Sequence, residues 1–274
     1  MHLTPILVLS LTLSCGGSGG SGPPPIGVPS PVMYGLDSLN VLVVFRASRP
    51  DLVTRTTAVT GLPAGERLVG IDFRAQDGRL YGLGAGSRLY LIDTTSGAAT
   101  LLGAAAFVPA LIGTVFGIDF DPVADQLRVM SDSGQNLRLD PVADTVVGVD
   151  SALAYASGDF HAGVAPVIAG AAYTNSTASA TTTTLFGIDA GLAALVTVTA
   201  PDSGQLTTVA SLGVPTTTAV GFDIDGGTGI GYLTLTAPTG GASQLYAINL
   251  VNRGVTLTGT IGHAVPLVGI TVHP

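Results

Sequence analysis

The sequence predicts an all-β fold: a five-bladed β-propeller of four-stranded antiparallel blades, closed by pairing the C-terminal strand with the N-terminal blade. Three observations carry this expectation. The line Gly70-Ile71-Asp72-Phe73 recurs as Gly117-Ile118-Asp119-Phe120, Gly221-Phe222-Asp223-Ile224 and Gly269-Ile270-Thr271-Val272, with a weaker copy at Gly170-Ala171-Ala172-Tyr173. Aligning Asp72, Asp119, Ala172, Asp223 and Thr271 gives spacings of 47, 53, 51 and 48 residues. A period of that length with strand-like content marks a propeller. The 38 glycines and 17 prolines, set among segments rich in Val, Thr, Leu and Ala, suit short half-buried strands joined by tight turns.

The clearest unit runs from Arg67 to Ala105. Leu68 to Arg74 reads as its first strand, with Val69, Ile71 and Phe73 on one face and Gly70 and Asp72 on the other. Gln76-Asp77-Gly78 is a hairpin turn. Arg79–Gly84, Ser87–Asp93 and Ala98–Gly103 then supply strands two to four. The same grammar recurs over Phe116–Asp150, Val167–Gly213 and Val220–Gly262. The two ends complement each other. Leu267–Val272 is a first strand with nothing after it, whereas Met33–Leu36, Val41–Arg46 and Leu52–Val59 match strands two to four with nothing before them. Joining them closes the ring and leaves no orphan sheet edge. Asp77, Asp93, Asp125, Asp140 and Asn249, all at blade turns, read as turn formers.

Composition bounds the function. Only 10% of residues are charged, the formal net charge is −8 and there is no lysine. Nucleic-acid binding, which rests on neutralising phosphates with Lys and Arg, is therefore not expected. Lysine-dependent phosphate loops and Schiff-base cofactors are excluded outright. Tryptophan is absent and aromatics make up 5%, which disfavours a sugar-binding platform.

Residues 1–15 read as a lipoprotein-type export signal, 16–31 as a Gly/Ser/Pro tether and 32–274 as the propeller domain. Ile6–Ser14 is an apolar core too short to span a bilayer, and it ends at Cys15, the only cysteine. Ser14-Cys15 followed by Gly16–Gly22 resembles a bacterial lipoprotein cleavage site, which implies that Cys15 carries a lipid anchor. A plain secretory signal, giving a periplasmic or secreted product, is the alternative. A second stretch, Leu101–Ile118, is free of charge over 18 residues, but Gly103, Pro109, Gly113 and Gly117 interrupt it. It reads as strand–loop–strand.

The lines Leu68–Arg74, Leu80–Gly84, Ser133–Arg138 and Ala172–Asn175 resemble a bacterial family known as a domain of unknown function (number 4394). The resemblance extends from Val32 to the C-terminus. It implies a propeller-like fold in exported proteins and supplies no activity or catalytic residues.

Two sets of residues could carry chemistry. If the first strand of each blade is innermost, Asp72, Asp119 and Asp223 converge on the central channel, with Thr271 and Ala172 at the remaining positions. Three such carboxylates could bind Ca²⁺ through oxygen. They could serve glycoside hydrolysis, or accept backbone amides of their own or the next blade. The shared identity of the Asp across repeats favours this structural role. The second set breaks the symmetry. Asp132, Gln135 and Asn136 lie at the middle turn of the Phe116–Asp150 unit, Arg128 and Arg138 lie on its adjacent strands, and Asp159 and His161 lie in the connection Ser151–Pro166. These could contact a ligand from loops raised on a rigid ring, or merely pair charges at a linker. No two histidines have metal-ligand spacing, and Glu66, the only glutamate, lies in a loop between blades. Three functions stay open: an exported binding or scaffold module of unknown ligand, a glycan-directed hydrolase, and an ion-stabilised propeller.

Overall fold

The computed structural model describes residues 30–274. The apolar segment, Cys15 and the tether as far as residue 29 lie outside the described residues. In chain order the strands are β1 (Val32–Asp37), β2 (Val41–Arg46), β3 (Arg49–Ala58), β4 (Leu68–Arg74), β5 (Arg79–Gly84), β6 (Arg88–Ile92), β7 (Ala99–Leu101), β8 (Phe116–Asp121), β9 (Gln126–Ser131), β10 (Asn136–Asp140) and β11 (Thr145–Val149). They continue as β12 (Ala154–Tyr155), β13 (Ile168–Tyr173), β14 (Leu185–Asp189), β15 (Ala194–Ala200), β16 (Gln205–Ser211), β17 (Val220–Ile224), β18 (Ile230–Leu235), β19 (Gln244–Asn249), β20 (Gly254–Thr260) and β21 (Leu267–Val272).

These strands form five sheets. Blade 1 is β4–β7, blade 2 is β8–β11, blade 3 contains β13–β16, blade 4 is β17–β20, and the closing blade is ordered β21-β1-β2-β3. Closure happens as the complementary ends predict: β21 pairs antiparallel with β1, setting Tyr34 opposite Thr271 and Gly35 opposite Ile270. Blade 3 departs from four strands. The connection after blade 2 contributes β12, which adds a parallel fifth strand outside β16. So this segment is not a bare linker; its Tyr155 is buried and donates to Asp189 Oδ2 at 2.7 Å. The charge-free stretch before Ile118 is indeed strand–loop–strand, from β7 to β8. Among the described residues no helix is long and apolar enough to cross a membrane.

The apolar residues sort into five cores, one between each pair of neighbouring blades. Leu36, Val44, Ile71 and Phe73 join the closing blade to blade 1, and Tyr81, Phe116 and Phe120 join blade 1 to blade 2. Met130 and Tyr173, Ala172 and Phe222, and Phe45 and Tyr232 mark the other three. Burial between blades, rather than within one centre, therefore holds the ring, and every blade depends on its neighbours.

The innermost strands follow one another around the axis in the order β21, β4, β8, β13, β17. The repeat glycine sets how closely they approach. A Cβ on Gly117 would lie 2.5 Å from the Gly170 carbonyl carbon, and one on Gly221 would lie 2.6 Å from the Ile270 amide nitrogen. All five repeat glycines line the end of the channel where the first strands begin, and the remaining space there is about 10 Å³. That is barely room for a water molecule, so the channel is closed at this end.

Candidate functional site

Two residues beyond the repeat glycine, the aligned Asp or Thr side chain of four blades reaches across to the next blade. The Phe120 amide donates to Asp72 Oδ2 at 2.8 Å, and the Val272 amide donates to Asp223 Oδ2 at 2.6 Å. The Phe73 amide donates to Thr271 Oγ1 at 3.3 Å, and the Tyr173 amide donates to Asp119. In each case the donor follows the aligned position of the next blade, so the pattern is a hydrogen-bonded ring running around the propeller. Ala172 has nothing to offer; there the Ile224 amide turns to Asp223 Oδ1 of its own strand, at 2.6 Å. Thr271 also donates to Asp72 Oδ1 at 2.8 Å, which joins the closing blade to blade 1 in both directions. The structural role expected for the Asp set is thus present, and it is a role between blades.

The same three aspartates also converge. One carboxylate oxygen from each of Asp72, Asp119 and Asp223 lies within 4.8 Å of the others, and all three residues are at most 5% exposed. Burial first, and then the charge of Asp223, push the Asp72 carboxyl well above the usual carboxylate range. Burial followed by Asp72 and Asp223 does the same to Asp119, and burial raises Asp223 to about 6 against the pull of the Val272 and Ile224 amides. Asp119 Oδ1 is buried with no hydrogen-bond partner among the described residues. No arginine is among the groups acting most strongly on the three.

Chemically this is an all-oxygen, hard-donor set suited to a cation such as Ca²⁺. It does not suit glycoside hydrolysis. Catalytic carboxyl pairs stand about 5 to 9 Å apart so that a sugar fits between them, whereas these are packed together and bound to backbone amides. The site is reached from the mouth opposite the glycine constriction. A pocket of about 420 Å³ opens there, bordered by Asp72 and Asp223 and walled by Ser176–Ala178, Asp225–Gly227 and His273.

The symmetry-breaking residues do not join this site. Asp132 accepts from the Thr114 amide and hydroxyl at 2.9 and 2.7 Å; Gln135 accepts from the Ile112 amide at 2.8 Å and donates to Ala110 O at 2.9 Å. The two therefore pin the loop between blades 1 and 2. Asn136, Arg128 and Arg138 form a network with buried Asp150 and exposed Asp202. Asp159 accepts from the Thr208 amide at 2.7 Å and from the His161 amide at 2.9 Å, and His161 Nδ1 lies 3.0 Å from Thr208 Oγ1. All seven find partners within the fold, Asp132 and Gln135 through hydrogen bonds and the arginines through charge pairs.

Some working residues escaped the sequence reading. Glu66, read as a loop residue, lies with its side chain 3% exposed, accepting from the Gly86 amide and pairing with Arg88 at 2.8 and 2.9 Å. Asp125, read as a turn former, also receives the Arg74 guanidinium of blade 1, with Nε to Oδ1 at 2.8 Å. No local signal marks either contact. Asp144, in the β10–β11 turn of blade 2, is buried at a φ of 51° with Oδ1 unpartnered, and burial raises its pKa to about 6. The folded state therefore holds this proton more tightly than the unfolded state, and stability falls as pH climbs from about 4 to about 6. Asp144→Asn keeps a residue that tolerates left-handed φ. After allowance for solvent screening it is expected to add about 1 kcal/mol at pH 8 and almost nothing at pH 4, read by urea denaturation at both pH values.

Fold and site together define a closed β-propeller whose channel is sealed at one end and carboxylate-lined near the other. The chain belongs to the family described as a domain of unknown function, DUF4394, whose model matches residues 41–271. No curated protein matches. Among solved structures, the chain resembles a structural-genomics protein of unknown function from Bacteroides thetaiotaomicron, with 16% identity and a TM-score of 0.50 over 90% of this chain and 64% of that one. It also resembles a chain of a nidogen/laminin complex, with 12% identity and a TM-score of 0.47 over 90% and 99% of the two chains. TolB from Acinetobacter baumannii gives 10% identity and a TM-score of 0.46 over 84% and 53%. At 16% identity the first of these matches speaks to fold alone.

Proposed function

We propose that this protein is an exported binding module of the bacterial cell envelope, tethered through a lipid on Cys15, that receives its ligand at the open mouth of the channel. The observation that carries the binding reading is the 420 Å³ pocket, whose walls come from loops of different blades and whose edge holds Asp72 and Asp223. Loops raised on a rigid ring are where such folds make contacts. Its acidic border, with Asp225 added, favours a ligand carrying positive charge or bound through a cation. The apolar segment ending at Cys15 and the Gly/Ser tether after it support export and anchoring.

Each half of the reading has its own test. The full chain, expressed in a bacterial host with radiolabelled palmitate, is expected to take up label and sediment with membranes, and Cys15→Ala to abolish both. Wild-type protein that stays unlabelled and soluble would remove the anchor. For the pocket, Ala178→Trp fills the mouth from an exposed loop position. Envelope components retained on the immobilised wild-type protein should fall at least tenfold on this variant; equal retention would place binding elsewhere.

A further inference from the structure

We infer that Asp72, Asp119 and Asp223 hold one Ca²⁺ ion on the propeller axis. The inference does not depend on the pocket's having another ligand. It starts from what the amide ring requires. Thr271 accepts the Phe73 amide with a neutral hydroxyl, and Ala172 shows that the ring survives one position with no acceptor at all. Gripping the neighbouring blade thus needs no charge. Three carboxylates in this place are instead costly, because each is desolvated and close to two like charges. A chain without lysine, and with no arginine acting strongly here, does not supply the compensating charge from within.

The unpartnered oxygen of Asp119 is the independent sign of a ligand. Asp72 uses one oxygen on the Phe120 amide and the other on the Thr271 hydroxyl, and Asp223 uses its two on Val272 and Ile224. Asp119 Oδ1 has nothing, although the residue is only 2% exposed and belongs to the cluster. A carboxylate oxygen that already accepts one hydrogen bond keeps a second lone pair, so all three residues can still coordinate. The amides then fix the orientation of the ligands from behind, as outer-shell partners do in built metal sites.

Size and donor type choose the ion. Oxygens bound to one ion at the Ca²⁺ distance of about 2.4 Å lie at most about 4.8 Å apart, and the three clustered oxygens all fall within that separation. Mg²⁺ demands near-octahedral geometry and gives up its water reluctantly, which three carboxylates fixed by backbone amides suit less well. Among the clustered ligands there is no nitrogen or sulfur to favour zinc. Three carboxylates leave several coordination positions, and the pocket bordered by Asp72 and Asp223 gives water a way to fill them.

The test uses the intact protein after removal of divalent ions with EDTA at pH 7.5, with CaCl₂ as the probe. Calorimetric titration should find one Ca²⁺ per chain. At a free concentration a hundredfold above Kd, the melting temperature should rise by about 5 to 10 °C. Asp119→Asn keeps an acceptor for the Tyr173 amide and removes the uncompensated charge. It should melt at or above the wild-type temperature in EDTA, bind Ca²⁺ at least 30-fold more weakly, and shift by no more than about a third as much at the same concentration. Asp51→Asn, in the exposed Arg49–Asp51 pair on the outer strand of the closing blade, should titrate like the wild type. No bound Ca²⁺ at 1 mM, or undiminished binding by Asp119→Asn, would overturn the inference. An equal shift with MgCl₂ would overturn the choice of calcium.

Discussion

Alanine in place of Gly117 is expected to destabilise the propeller by about 3 kcal/mol, the upper part of the range for overpacking a tight interior. The added methyl would meet backbone of the neighbouring inner strand, 2.5 Å from the Gly170 carbonyl carbon and 2.6 Å from the Ala171 amide nitrogen. Backbone cannot rotate away as a side chain can. The two inner strands would have to separate, and in a closed ring a displacement at one junction is passed to the others. Gly269→Ala supplies the control because it occupies the same place in the repeat. Its Cβ would lie no nearer than 3.6 Å to any neighbour, an ordinary contact. This variant should change stability by less than about 1 kcal/mol. Urea denaturation of both proteins decides the matter; equal midpoints would show that the glycine of the repeat is not there to admit a neighbouring strand.

The contrast bears on how much could be read before the fold was known. The Gly-Ile-Asp-Phe line and its period predict the blades, and the orphan strands at the two ends predict that the C-terminal strand joins the N-terminal blade, as β21 does by pairing with β1. Both are legible because hydrophobic alternation and turn residues act over a few positions. The direction in which each Asp reaches is not legible. Asp72 meets an amide 48 residues later and a hydroxyl 199 residues away, and these become neighbours only when the ring closes. The same holds for Asp125, whose turn-forming side chain also crosses to Arg74 of the previous blade. The repeat carries two inter-blade devices, a glycine that lets strands approach and an acceptor that grips them. Thr271 and Ala172 show how far the acceptor can vary.

Beta-strand β12 was hidden for a different reason. Two residues paired in parallel to an outer strand have too little length for a period, and Ala154-Tyr155 carries no turn signature. Its partner Asp189, fully buried, takes the Tyr155 hydroxyl and the Leu192 amide, so a polar contact rather than an apolar pattern holds the segment in place.

Replacing Arg128 with methionine is the second substitution expected to cost about 3 kcal/mol, the low end of what breaking a buried ion pair costs. Arg128 lies 3% exposed in the middle of blade 2 and donates to four partners. Nη1 meets Asp150 and the Asn136 side chain, Nη2 meets Asp202 at 2.9 Å and Nε meets the Tyr173 hydroxyl at 3.3 Å. Asp202 belongs to the 3-10 turn Pro201–Ser203 at the outer edge of blade 3, and Asn136 also donates to Pro201 O at 2.7 Å. The guanidinium thus fastens blade 2 to blade 3 away from the axis. Methionine has similar volume and no donors, so the loss read is that of the polar contacts. Arg138 still pairs with Asp150 through Nε and Nη2 at 2.8 and 2.9 Å, which keeps the cost from reaching the upper end of the range. Because the pair with Asp150 is buried, the deficit should persist when NaCl is raised from 0.05 to about 0.5 M. The exposed pair Arg49–Asp51, with side chains 58% and 61% exposed, gives the comparison: Arg49→Ala should leave the urea midpoint essentially unchanged. A deficit at position 128 no larger than that at 49, or one erased by salt, would mean that the network merely neutralises charge and does not join the blades.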